Sequence, residues 1–364
     1  MKKILWISVS PFHQSSFSIV SHNLLKRLGK KHTIFYLSIH YYGVPLKYED
    51  YTILQFSDHK QLTEYLRAIR PQVTVIYQSP LFIKSISHSF DEIRMYSKLI
   101  IYLPVEGYPI AEDISYLEKA DLILVPSKYS QKCLQKEGYQ SEVLYHGVDT
   151  QTFKPIFPLE QKYLKDSTLK MGTIAGHVWR KQLARLMDAY KLAIQKGLQN
   201  SEYYINCTTY DSTKWMPDLN IYGQKLDIPV KISKTSYLNL PLEHEKIALF
   251  YNKLHLHILP SSESFGLPHL EAMACGTVPI AIQEGAAPEI IGDCGIYVKI
   301  KDWLPTSMGR VALADIEDLA EKMLWASANK QHLKAQAEKA ITRAKMFNWE
   351  NAALKLNSIL EDIT

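Results

Sequence analysis

Residues 254–280 read LHLHILPSSESFGLPHLEAMACGTVPI. LHLHILPSS has the look of a strand running into a loop, and Pro268 suits the first turn of a helix, where its missing N–H costs nothing. HLEAMACG then continues as a helix that stops near Gly276. The segment SESFG therefore lies at the carboxyl end of a strand and leads into a helix N-terminus, whose N–H groups favour an anion such as phosphate. Gly266 lets the backbone approach a ligand closely. Glu263 stands in the loop and Glu271 in about the first turn of the helix. Carboxylates accept hydrogen bonds in pairs and suit vicinal hydroxyls, as on a sugar or a ribose. Together these features fit a sugar nucleotide. The plainer reading makes Glu271 a complement to the helix dipole and Glu263 a solvated loop residue; two glutamates alone do not choose between the readings.

The flanking sequence repeats one rhythm. KILWISVS is a short apolar run of the kind buried on both faces of a sheet, and SIVSHNLLKRLGK carries apolar residues at helical spacing with Gly29 as a stop. HTIFYLSI, VTVIYQ, KLIIYLPV and ADLILVPS are further strands, and HKQLTEYLRAIRP is a helix ended by Pro71. The stretch DTQTFKPIFPLEQKYLKDS has two prolines and no period, and reads as a connection between domains. The rhythm restarts with LKMGTIAG, a helix over about Lys181–Gly197, and strands in SEYYINCTT, IPVKISK, LHLHILPSS, TVPIAIQ and GIYVKI. EHEKIALFYNK, residues 315–330 and residues 331–345 read as helices, and NWENAALKLNSILEDI as a final amphipathic one. Alternating strands and helices predict an α/β protein with doubly wound parallel sheets. The expected domains are 1–157 and 158–345, facing each other across a cleft, with helix 346–364 returning to the first.

Composition narrows the class. The chain has 364 residues, 46% hydrophobic and 22% charged, which suits two ordinary domains and excludes a disordered chain. The net charge of +5 is spread thinly, so no nucleic-acid footprint is expected. Cys133, Cys207, Cys275 and Cys294 show neither zinc nor disulfide-scaffold spacing and read as thiols of a reducing compartment. The amino-terminal apolar run is too short for a secretory signal, and no stretch approaches a membrane span. The expected location is cytoplasmic, at most peripheral to a membrane. Neither a P-loop, G-x-G-x-x-G, H-E-x-x-H nor G-x-S-x-G string occurs. D-x-D is also missing, so no metal and no cofactor are expected.

The string ESFGLPHLEAMACGTVPIAIQEGAAPEIIGDCGIYV, residues 263–298, closely resembles the signature of family 4 of the retaining glycosyltransferases, the group 1 glycosyl transferases of GT-B fold. YHGVDTQTFKP resembles the family's linker motif with His146 in place of an asparagine. GHVWRKQLARLMDAYKLA resembles the motif whose basic residues hold the donor diphosphate, and MFNWENAALKLNSIL its terminal helix. The resemblance implies a GT-B fold of two Rossmann-like domains, with the donor held by the second. It implies that Glu271 binds the nucleotide ribose, Glu263 the donor sugar, and the backbone of Phe265, Gly266 and Leu267 the sugar and phosphates, with Ser264 a further donor-binding residue. Lys181, with Arg180 as a second candidate, would neutralise the departing diphosphate. In the first domain the loop SPFHQSSFS lacks the family's glycines and offers His13 and Ser16. Glu106, in YLPVEGYP, is the nearest candidate where many members carry a histidine, and equally a residue that stabilises the turn before Gly107.

The expected function is metal-free, retaining transfer of a sugar, as by a hexosyltransferase. The donor would be a UDP-, GDP- or ADP-sugar and the acceptor a hydroxyl of a glycan, a lipid-linked molecule or a protein. A non-catalytic sugar-nucleotide-binding subunit is the alternative from another class, and slow donor hydrolysis by the pure protein discriminates against it. A sugar-nucleotide epimerase of the same fold is a further alternative, which the paired glutamates disfavour.

Overall fold

The computed structural model describes residues 1–13, 15–208, 216–235, 243–307 and 309–363. Its contacts divide the chain into two compact units. The first comprises Met1–Gly147, Ser307–Gly309 and Asn348–Thr364, and the second Val148–Thr306 and Arg310–Phe347.

The first unit is built on a sheet of eight strands: β1 (Lys3–Val9), β2 (Thr33–Ile39), β3 (Leu46–Tyr48), β4 (Tyr51–Gln55), β5 (Val73–Tyr77), β6 (Lys98–Tyr102), β7 (Leu122–Val125) and β8 (Glu142–Val143). Their spatial order is β3-β4-β2-β1-β5-β6-β7-β8. All neighbours are parallel except β3 and β4, a short antiparallel edge pair. This edge pair has no counterpart in the sequence reading, because LKY and YTILQ are too short to show a decisive period. The central strands are predominantly apolar because helices cover both faces; Ile4, Leu5, Ile7, Val75, Ile100 and Leu124 are fully buried. Each such aliphatic side chain contributes roughly 2 kcal/mol through burial. Asn348 caps the helix Trp349–Asp362 by accepting from the Asn351 N–H. That helix packs on the helix Ser16–Leu28 and is fixed by His32 Nε2 and Asn357 Oδ1 at 3.0 Å.

The second unit carries β9 (Leu169–Ala175), β10 (Ser201–Thr208), β11 (Val230–Thr235), β12 (Leu256–Ile258), β13 (Val278–Ile282) and β14 (Ile296–Val298). They form an all-parallel sheet in the order β11-β10-β9-β12-β13-β14. Both units are thus doubly wound parallel α/β sheets, as the alternation of apolar runs predicts.

Three local expectations are corrected. GIYVKI is two strands, because the Lys299 N–H turns aside to Asp318 Oδ2 at 2.9 Å. After that break β15 (Ile300–Leu304) leaves the sheet and pairs antiparallel with β16 (Val311–Ala314). The helix expected from Lys181 runs from Leu183 to Gln195, because Gln182 adopts a left-handed conformation (φ 56°) that separates it from a short 3₁₀ turn, Trp179–Lys181. Finally, Glu271 is the fifth residue of the helix Leu267–Ala274 and lies beyond its first turn.

Candidate functional site

In the second sheet, successive strands proceed outward from β9 on one side and from β12 on the other. The loops that follow β9 and β12 therefore diverge and leave a crevice at the carboxyl ends of these two neighbours. The loop after β9 carries Arg180 and Lys181, and the loop after β12 carries Ser261–Gly266. Topology thus brings together residues far apart in sequence. Lys181 Nζ donates to Glu263 Oε1, Ser261 Oγ donates to the same oxygen, and Arg180 Nη1 lies 3.4 Å from it. The Lys181 and Glu263 side chains are only 10% and 9% exposed.

Both loops are fixed by their own chemistry. The buried Gln182 side chain donates from Nε2 to Pro260 O at 2.9 Å and to Ala312 O at 3.0 Å, and its Oε1 accepts from Ala314 N at 3.0 Å. One amide thereby ties the Lys181 turn to the start of the Glu263 loop and to β16. On the other side, Ala286 N donates to Glu263 O at 2.8 Å. Gly285 has φ +70°, and a Cβ there would lie 2.8 Å from both the N and the O of Glu263. Only glycine allows that approach.

The two glutamates differ electrostatically. Burial alone would raise the Glu263 carboxyl, but the charges of Lys181 and Arg180 and the hydrogen bonds from Lys181 and Ser261 outweigh it and hold it well below the usual carboxylate range. Glu263 is an ionised, neutralised group rather than a solvated one. Glu271 is 9% exposed and has no cation beside it among the described residues; burial pushes it up to about 8, against a hydrogen bond from Tyr251. The Tyr251 hydroxyl, at 3.4 Å, is its one hydrogen-bond partner among the described residues. A carboxyl that deep with most of its acceptor capacity unused is suited to receive hydroxyls from a ligand.

Between the glutamates the chain turns at Gly266, whose φ of +94° starts the helix without a side-chain cap, and Pro268 occupies the first turn. Phe265 and Leu267 are buried, and the Phe265 ring stands edge-on to Phe347 at 6.0 Å. Ser264 is half-buried. This helix end adds roughly half a positive charge close to a lysine and an arginine, an environment for an anion.

The structure therefore places Arg180, Lys181, Glu263, Ser264, Phe265, Gly266, Leu267 and Glu271 in the second unit, and His13, Ser16 and Glu106 in the first. His13 follows β1 and stacks on His40 with ring centroids 5.7 Å apart; burial, then the His40 charge, lower its pKa. Ser16 is the first residue of its helix, which Ser15 caps by accepting from Ser18 N at 3.1 Å. Glu106 is half-buried in the loop after β6. Ser261, Gln182 and Tyr251 are additions to the sequence reading. Ser261 lies two residues before Glu263, and Gln182 lies beside Lys181 within the basic motif but is not one of its basic residues; nothing local marks Tyr251. Among the described residues no group of three or more His, Cys, Asp or Glu side chains is arranged to hold a metal, and no helix is long and apolar enough to cross a membrane. All four cysteines are buried free thiols.

Residues 230–343, which include Glu263 and Glu271, match the family model described as glycosyl transferases group 1. The O-antigen chain mannosyltransferase B of Escherichia coli is 24% identical over 305 residues, 78% of this chain and 73% of that protein. The serotype-specific mannosyltransferase WbdA of Escherichia coli is 33% identical over 113 residues, 31% of this chain but only 12% of that protein's length. Among solved structures, sucrose-phosphate synthase of Thermosynechococcus elongatus superposes with a TM-score of 0.76 at 16% identity, covering 100% of this chain and 99% of that one. Anabaena HepE in complex with UDP and glucose superposes with a TM-score of 0.74 at 15% identity, covering 99% of this chain and 100% of that one. The fold is that of the GT-B glycosyltransferases.

Proposed function

We propose that this chain is a retaining, metal-independent glycosyltransferase of family 4 that moves a hexose from a nucleotide sugar to an acceptor hydroxyl. The observation that carries this reading is the convergence of Lys181, Arg180 and the ionised Glu263 at the switch point of the second sheet, with the buried Glu271 one helix turn further on. In this reading Glu271 takes the ribose diol and Glu263 the hydroxyls of the donor sugar. The helix start at Gly266 and Leu267, with Lys181 and Arg180, takes the diphosphate. The acceptor oxygen attacks the anomeric carbon on the face from which the phosphate leaves. The bond from that carbon to the phosphate oxygen breaks, and the acceptor proton passes to the departing diphosphate. The two cations stabilise the charge that develops there, commonly the largest catalytic contribution. They also exchange partners: donor binding gives Glu263 sugar hydroxyls to accept from, and frees part of the Lys181 charge for phosphate. Glu106, His13 and Ser16 are proposed ligand contacts of the first unit.

The relatives' names put mannose first among the sugars to test, and the HepE complex adds UDP and glucose. A thermal-shift screen of UDP, GDP and ADP with GDP-mannose, UDP-glucose and ADP-glucose tests the reading, because a ligand specific to the folded state stabilises it by mass action. One nucleotide is expected to raise the melting temperature, and its sugar conjugate is expected to be slowly hydrolysed. Stabilisation by none of them refutes donor binding; stabilisation without any hydrolysis or transfer favours a binding subunit.

A further inference from the structure

Behind the two glutamates stand three aromatic rings to which the sequence reading gives no role. Tyr251 lies in the helix His244–Asn252, His257 in β12 and His269 in the first turn of the helix Leu267–Ala274. All three are buried, at most 1% exposed. The Tyr251 ring meets His257 edge-on at 5.3 Å and 88°, and His257 meets His269 at 5.2 Å and 72°. At one end of this stack His269 Cδ2 lies 3.3 Å, and Glu263 Cβ 3.7 Å, from the point where a Cβ on Gly266 would sit. At the other end the Tyr251 hydroxyl lies 3.4 Å from Glu271 Oε2.

The polarity of that last contact is fixed. Burial, then the Glu271 charge, raise the Tyr251 phenol well above its ordinary value, so it keeps its proton and donates. A fully buried tyrosine hydroxyl needs an acceptor, and Glu271 is the one it has among the described residues. Burial likewise keeps both imidazoles uncharged, His257 well below its usual value and His269 at about 4. Neither ring nitrogen of His257 has a hydrogen-bond partner among the described residues, so the ring serves by its shape and leaves the phenol hydroxyl to the carboxyl. The Tyr251 backbone is held as well, its carbonyl accepting from Thr277 Oγ1 at 2.6 Å.

We propose that Tyr251 is the positioning residue of Glu271: its hydroxyl holds Oε2 so that Oε1 is presented to the ribose of the nucleotide, and the His257–His269 stack holds the phenol in place. This rests on the reading of Glu271 as the nucleotide contact. Among the described residues, the titratable groups that face Glu271 are Tyr251 from the preceding helix and Cys275 at the end of its own.

The test is a double-mutant cycle read by calorimetry with UDP and GDP between pH 6 and 9. Tyr251→Phe keeps the ring and removes the donor. It is expected to weaken the nucleotide that binds the wild type by about 5–10-fold at pH 7, where burial keeps Glu271 largely protonated, the usual net scale for an uncharged hydrogen bond. It should move the pH midpoint of binding upward, because the ionised carboxyl has lost a donor. In a Glu271→Ala background it should cause no further loss. His257→Leu, which spares both hydrogen-bonding groups, is expected to give a smaller loss that also vanishes without Glu271. Equal losses with and without Glu271, or no loss for Tyr251→Phe, overturn the positioning role. If Glu271→Ala itself binds nucleotide like the wild type, the assignment of Glu271 fails, and the inference with it.

Discussion

Replacing Lys181 by methionine probes the centre of the site most directly. The Lys181 ammonium and the Glu263 carboxylate are each about nine-tenths buried and in direct contact. Removing one member of such a pair leaves a buried charge, which generally costs 3–5 kcal/mol. Two partners of Glu263 survive the substitution, the Ser261 hydroxyl and Arg180 at 3.4 Å. The lower end, about 3 kcal/mol at pH 7, is therefore expected. In a unit of this size that corresponds to a fall in melting temperature of roughly 6–12 °C. The pH dependence carries the sharper signature. Glu263 has a folded-state pKa depressed below its unfolded value by Lys181 and Arg180. Its contribution is complete above the unfolded pKa, near 4.5, and is lost as pH falls through the folded one. Without Lys181 that depression shrinks, so the gap between wild type and Lys181→Met should be widest at neutral pH and narrow below pH 4.5. Urea unfolding at pH 7, 5 and 4 measures it. Glu263→Gln should recover much of the loss when combined with Lys181→Met, since no uncompensated charge then remains. A loss below about 1 kcal/mol, or one that does not change with pH, would falsify the view that Glu263 is a buried carboxylate sustained by Lys181.

Three further outcomes follow from the same geometry. Glu271→Ala should weaken binding of the nucleoside diphosphate by about 1–3 kcal/mol, whereas Glu263→Ala should leave it nearly intact and impair sugar transfer; calorimetry with nucleotide alone separates them, and equal losses would sink the assignment. Gly285→Ala places a Cβ 2.8 Å from the Glu263 backbone at a φ of +70°, so a stability loss of about 1–3 kcal/mol and a lower transfer rate are expected, and a variant as stable as wild type contradicts the packing argument. Transfer should persist in excess EDTA, because a lysine, an arginine and a helix end can together match the charge of a divalent ion; activity lost in EDTA and restored by magnesium or manganese overturns this.

Much of the fold and part of the site can be read from the sequence, for a physical reason. Strand, loop and helix over residues 256–274 follow from short-range facts: a run of apolar residues, a glycine at φ +94° and a proline in the first helical turn. The alternation of such units predicts two doubly wound sheets because connections this short must pack each helix back on its own sheet. The same local signals mark Glu263, Glu271 and Lys181 as candidates. They do not say which residues meet. That Lys181 neutralises Glu263 depends on β9 and β12 being neighbours, a pairing across more than eighty residues. That Glu271 titrates near 8 while Glu263 stays ionised depends on which cations and hydroxyls surround each once both are buried. Gly285 is legible as a turn glycine, but its closeness to the Glu263 backbone is a tertiary contact. Tyr251, His257 and Gln182 lie within ordinary helical, strand or turn sequence, and only packing turns them toward the site. Local propensity acts over a few residues, whereas the charge, burial and orientation of a side chain are set by neighbours that folding brings from elsewhere in the chain.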